Sequence, residues 1–143
     1  MLYFDTSFLV PLLLPEKTSE QIEAYFHHLP ADQTLVASQW TRVEFASVLS
    51  RLVRMGELSK DTAGLCNERF SLLLVENFQV VLPEIDDFDL TWRYLTRLDN
   101  SLRAGDALHL AIASNLAVDQ IITLDEGMIT AGKVLKLPVD RGI

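Results

Sequence analysis

Four acidic residues stand where a carboxylate is costly to keep: Asp5, Glu44, Asp106 and Asp125. Asp5 follows the apolar run Leu2-Tyr3-Phe4, and Asp125 follows Ile121-Ile122-Thr123-Leu124. Asp106 follows Gly105 and opens an otherwise apolar segment, so its charge needs a partner. Glu44 lies on the margin of the helical stripe Phe45, Val48, Leu49 and Leu52. Each acid also has an ordinary structural use. Asp5 can cap a helix, although Thr6 and Ser7 can cap in its place and leave it free. Glu44 can pair with Arg42 or Arg51 on its own helix. Asp106 suits the first turn of a helix, and Asp125 suits a turn with Glu126-Gly127. Gathered in one place, however, the four repel one another unless a cation neutralises them. An oxygen-only set suits a hard divalent ion such as Mg2+ or Mn2+. No Cys/His spacing of the zinc type is present.

The elements that would position these acids alternate along the chain. Short strands are expected over residues 2–4, 34–37, 78–82 and 121–124. A last one is expected at 137–139, on an edge because Pro138 lacks a donor. Helices are expected over 18–28, from the Ser38 cap to about Met55, over 59–76, over 86–98 and over 105–117. Gly56 stops the second of these, and the last is apolar nearly all round and therefore buried. Pro11 and Pro15 keep the helix after Asp5 short or irregular. This order implies an α/β fold, a three-layer α/β/α sandwich around a mostly parallel sheet. Sites in such sheets form beyond the carboxyl ends of the strands. Asp5 ends the first strand, and Asp125 follows the fourth.

The bulk composition sets bounds on this reading. The 143 residues read as one domain, 1–143, able to bury a core unaided. Hydrophobic residues make up 49% and charged residues 22%, which fits a folded protein. The single cysteine, Cys66, allows no internal disulfide and points to a reducing cytoplasm. The apolar run 8–14 is short of the about 20 residues a membrane span needs. It also lacks a preceding basic residue, so neither a membrane helix nor a secretory signal is expected. The formal net charge of -8, taken alone, argues against a nucleic-acid partner.

The motifs themselves resemble a known family. Leu2-Tyr3-Phe4-Asp5-Thr6-Ser7 resembles the opening motif of PIN-domain nucleases. Thr41-Arg42-Val43-Glu44-Phe45-Ala46 resembles their glutamate helix, and Thr123-Leu124-Asp125 their final acidic motif. The best match is Leu102-Arg103-Ala104-Gly105-Asp106-Ala107-Leu108-His109-Leu110-Ala111. The likeness spans nearly the whole chain. Its length and the Arg-Ala-Gly-Asp-Ala-Leu-His segment suggest the VapC-like toxin branch. The resemblance implies a Mg2+- or Mn2+-dependent endoribonuclease that leaves a 5′-phosphate and a 3′-hydroxyl. It also implies a homodimer held inactive by a cognate antitoxin protein. Asp5, Asp106 and Asp125 would hold the metal. Glu44 would orient or deprotonate the attacking water, or help to hold a second ion. Thr6, Ser7, Thr123 and Arg103 are the candidates for substrate contact, the three hydroxyls also for supporting the acids. Met128 departs from the aromatic residue often found there, a difference in packing.

Other residues have ordinary and functional uses side by side. Arg42, Arg51, Arg54, Arg97 and Arg103 can line a solvated helix face, hold RNA phosphates or meet an acidic inhibitor. His109 reads as a hydrogen-bonded core histidine, His27 and His28 as a helix end, and Cys66 as a packing residue. Trp40 and Trp92 read as packing residues, with base stacking as the alternative. An aspartyl phosphatase would want Asp-x-Asp, and Ser7 occupies the second place. A receiver-type domain would want an acid after the third strand, where the chain reads Leu82-Pro83-Glu84. A catalytically silent module that binds RNA or protein is the remaining alternative.

Overall fold

A computed structural model describes residues 1–97 and 102–143. The strands are β1 (Leu2–Phe4), β2 (Leu35–Ser38), β3 (Gln79–Val81), β4 (Gln120–Ile122) and β5 (Val139–Asp140). They form one sheet in the order β3-β2-β1-β4-β5, and every ladder is parallel. β1 lies at the centre, with Leu2 opposite both Leu35 and Gln120.

Side chains alternate across the sheet with the period of two that a strand imposes. Leu2, Phe4, Ala37 and Ile122 face one core, which holds α1 (Thr6–Leu9), α2 (Ser19–His28), α3 (Gln39–Arg54) and α4 (Lys60–Asn77). Tyr3, Val36 and Ile121 face the other core. There they meet α6 (Ala104–Asn115) and α7 (Glu126–Val134), with Tyr94 of α5 (Ile85–Thr96) at the border. The first core is aromatic: Phe4, Phe8, Tyr25, Phe26 and Phe78 meet mostly edge to face, and Phe45 stacks on Phe70 at 3.9 Å. The three layers are those the strand–helix alternation implied.

Local chemistry explains the element ends. Ser38 caps α3 through a capping box with Thr41, and Ser59 caps α4. Pro11 has no N–H to continue α1, so the chain tightens into a 3-10 turn at Val10–Leu12. α6 carries seven buried residues in a row, Ala107 to Ala113, as its apolar composition required. α5 ends at Thr96, so the expected end at Leu98 lies outside the described residues. Three expectations are corrected. Residues 126–134 form the helix α7, not merely a turn after Asp125. Asp5 itself caps α1, so Thr6 and Ser7 do not take that place. Trp92 is 66% exposed and packs in no core, whereas Trp40 borders the second core. Among the described residues no helix is long and apolar enough to cross a membrane.

Candidate active site

The parallel sheet brings its carboxyl ends to one edge, and the acids collect there. Asp5 ends β1, Asp125 follows β4 as the cap of α7, Glu44 reaches in from α3, and Asp106 sits in the first turn of α6. All four line one open cleft of about 470 Å³, together with Arg51, Arg54 and Arg103. The three arginines are exposed.

Each acid is fixed by local hydrogen bonds. Asp5 is only 5% exposed. Its Oδ1 accepts from the Ser7 hydroxyl at 2.7 Å and from the Phe8 N–H at 3.4 Å. The Ser7 oxygen also accepts the Leu124 N–H at 2.9 Å and lies 3.2 Å from the Thr123 hydroxyl. One serine thus ties the ends of β1 and β4 together. Asp125 Oδ1 accepts the Met128 N–H at 2.7 Å, while its own N–H donates to Thr123. Met128 is fully buried, and its sulfur accepts from the Thr123 hydroxyl. The departure from an aromatic residue is therefore a packing difference.

Glu44 pairs with neither Arg42 nor Arg51. Its Oε2 lies 2.7 Å from Nε2 of His109 and accepts the Thr6 hydroxyl at 2.5 Å. Arg42 donates instead to Gln39. His109 is a buried, hydrogen-bonded histidine, and its partner is a site carboxylate. The local signal was its lone polar ring on an apolar helix, and that pattern does not name the partner.

The electrostatics link all four acids. Burial pushes the Asp5 carboxyl up, against His109 and the bonds from Ser7 and Thr123 that favour its ionised form. Burial also pushes Asp106 up, and the Asp125 charge beside it adds to this, with Glu44 and Asp5 contributing further. Burial acts the same way on Glu44. His109, Thr6 and Trp40 outweigh it and hold Glu44 below the usual carboxylate range. The Trp40 indole N–H acts there as a nearby favourable dipole, since no hydrogen bond of good geometry forms on it.

The hydroxyls lie against the acids: Thr123 is fully buried, and Thr6, 6% exposed, lines the cleft floor. Half-buried Ser7 is already committed to Asp5 and Leu124. These hydroxyls support the acids. Arg103 stands on the rim, where a substrate can meet it.

The donor set fits a hard cation. The acids supply only oxygen; burial raises Asp5 and Asp106, and the Asp125 charge raises Asp106 further. The bonds of Asp5 to Ser7 and Phe8 and of Asp125 to Met128 fall on Oδ1, and those of Glu44 to His109 and Thr6 on Oε2. Among the described residues, no three acidic, imidazole or thiolate groups already stand close enough to enclose an ion.

Fold and site together define an α/β domain with an oxygen-only acidic cleft at the carboxyl edge of a parallel sheet. The chain belongs to the PIN-domain family, whose model matches residues 2–134. Nucleases of this family generally need a divalent metal. Solved structures similar to this fold include VapC20 of Mycobacterium tuberculosis, a sarcin-ricin loop cleaving toxin. It has a TM-score of 0.73 and 18% identity, covering 92% of this chain and 95% of that one. FitAcB of Neisseria gonorrhoeae has a TM-score of 0.75 and 18% identity, over 99% and 98%. VapBC-1 of nontypeable Haemophilus influenzae has a TM-score of 0.70 and 18% identity, over 99% and 98%. No curated protein matches the chain in sequence.

Proposed function

We propose that this protein is a Mg2+- or Mn2+-dependent endoribonuclease, the toxin of a toxin–antitoxin pair. The observation that carries this reading is the meeting of Asp5, Glu44, Asp106 and Asp125 in one cleft with Arg51, Arg54 and Arg103 on its rim. Asp5, Asp106 and Asp125 would hold the metal. When bound, a divalent ion lowers the pKa of water and offsets charge on phosphoryl oxygens. Ser7 keeps Asp5 oriented for this, and Met128 N–H does the same for Asp125. Glu44 accepts or orients the proton of the attacking water. Arg51, Arg54 and Arg103 hold phosphates of the strand.

The expected products are a 5′-phosphate and a 3′-hydroxyl. A cognate antitoxin, a homodimer and a cytoplasmic location belong to the same reading. A similar structure from Klebsiella pneumoniae is a toxin–antitoxin complex. The test is RNA cleavage with Mn2+ or Mg2+, with EDTA added, and with Asp5→Asn. Cleavage should need the metal and vanish in the variant. An Asp5→Asn protein that cleaves as fast as the parent would show the site to be misassigned. A parent that binds RNA but never cuts it would favour the silent binding module.

A further inference from the structure

His109 is 1% exposed in the middle of α6, among side chains that are otherwise apolar. A leucine would fill that space at no polar cost, so the imidazole has to be explained by its partners. Nε2 lies 2.7 Å from Glu44 Oε2, and Nδ1 lies 2.7 Å from the Tyr3 hydroxyl. That hydroxyl is itself fully buried and lies 3.1 Å from Ser38 Oγ. Ser38 is the cap of α3, bonded to the Thr41 N–H. The chain of bonds therefore starts at the α3 cap, passes through β1 and α6, and returns to α3 at Glu44.

The other Glu44 oxygen is shaped by a different residue. A Cβ added at Gly105 would fall 2.6 Å from Glu44 Oε1. Oε1 thus passes over bare backbone in the first turn of α6, one residue before Asp106. His109 and Thr6 occupy Oε2, and Gly105 leaves the room in which Oε1 sits.

We propose that His109 is a positioning residue for Glu44: backed by Tyr3 and Ser38, it holds the carboxylate by Oε2 and leaves Oε1 as the one oxygen that acts in the cleft. What Oε1 does there rests on the nuclease reading; the clamp does not. Glu44 so held cannot chelate an ion through both oxygens. It works on the attacking water through Oε1 alone.

Two kinds of measurement test this. In the first, His109→Leu, His109→Gln, Tyr3→Phe and Gly105→Ala are compared for Mn2+-dependent cleavage, Mn2+ affinity by calorimetry and thermal melting. His109→Leu and Gly105→Ala should lower kcat about 10- to 100-fold, the usual effect of losing an orienting partner. KM and Mn2+ affinity should hold. His109→Gln keeps an N–H donor and should recover part of the loss, and Tyr3→Phe should fall between. A folded His109→Leu protein with parental kcat overturns the proposal, as does a loss of Mn2+ affinity equal to the loss of rate. The second measurement needs no activity. The His109 ring proton on Nε2 should be a protected downfield NMR signal in the parent and lose its protection in Glu44→Ala. A signal unchanged in that variant overturns the clamp. A parent that cuts no RNA but shows this signal supports the clamp while removing the nuclease reading.

Discussion

Asp5 shows how one residue of a proposed site can oppose the stability of the fold that holds it. It is almost fully buried, and burial pushes its carboxyl above the usual range. A carboxyl whose folded pKa is raised favours folding while it is protonated. That contribution is complete below the ordinary carboxylate pKa and is lost as the pH rises through the raised value. Above the ordinary carboxylate range, Asp5 therefore opposes folding of the metal-free protein. Asp106 has the same sign, from burial and the Asp125 charge. Glu44 has the opposite sign: its lowered carboxyl stabilises the fold at neutral pH, and that is lost as the solution is acidified. Asp5→Asn keeps an oxygen to accept from Ser7 and the Phe8 N–H and removes the buried charge. The metal-free variant should melt a few degrees above the parent at neutral pH, and the difference should shrink at acid pH. Added Mn2+ should stabilise the parent and leave the variant unmoved. Melting curves with and without Mn2+ across the pH range check this. A variant that melts below the parent at neutral pH would mean that the cap on α1 matters more than the buried charge.

Among the elements, α7 was the one hidden in the sequence, and it holds the last acid. Asp125 caps it, and the helix returns against β5, where Gly132 makes the close approach. A Cβ at Gly132 would lie 2.2 Å from Val139 Cγ2. Gly132→Ala must push β5 away from α7, at a cost of about 1–3 kcal/mol for overpacking. Chemical denaturation should show that loss. An unchanged midpoint would mean that β5 moves aside freely. The helix escaped notice because residues 126–134 are few and hold two glycines, so the Asp125-Glu126-Gly127 start looks like a turn. The strands were legible because their apolar runs end at turn residues, and α6 because it is apolar all round. The acids themselves were legible for the same reason: Asp5, Asp106 and Asp125 interrupt those runs at their ends. The Glu44 partner was not legible. Sequence spacing reveals only partners on the same helix, and it named Arg42, two residues before Glu44, and Arg51, two turns after it. His109 lies 65 residues away and meets Glu44 only through the tertiary fold, at the carboxyl edge of the sheet.

At the scale of the whole molecule, a net charge of -8 has to be reconciled with an RNA substrate. The cleft suggests how. Its acids occupy the floor, where a cation would offset them, and Arg51, Arg54 and Arg103 are the cations that line it. Arg51 and Arg54 extend one face of α3 outward from Glu44, seven and ten residues on, so under the proposed function they would meet phosphates beyond the cut site. Single-stranded binding weakens with salt by about 0.7 in the log–log slope for each phosphate neutralised. Three arginines on phosphates give a slope of about -2, shallow for a nucleic-acid-binding protein. The acidic remainder of the surface repels the strand and keeps contact local to the cleft. Binding of a short single-stranded RNA to the Asp106→Asn protein, measured over a series of salt concentrations, checks this. Arg51→Ala and Arg54→Ala should each weaken binding and flatten the slope by about 0.7. A slope steeper than about -4 would require more phosphate contacts than this rim supplies and would place the substrate on a wider surface.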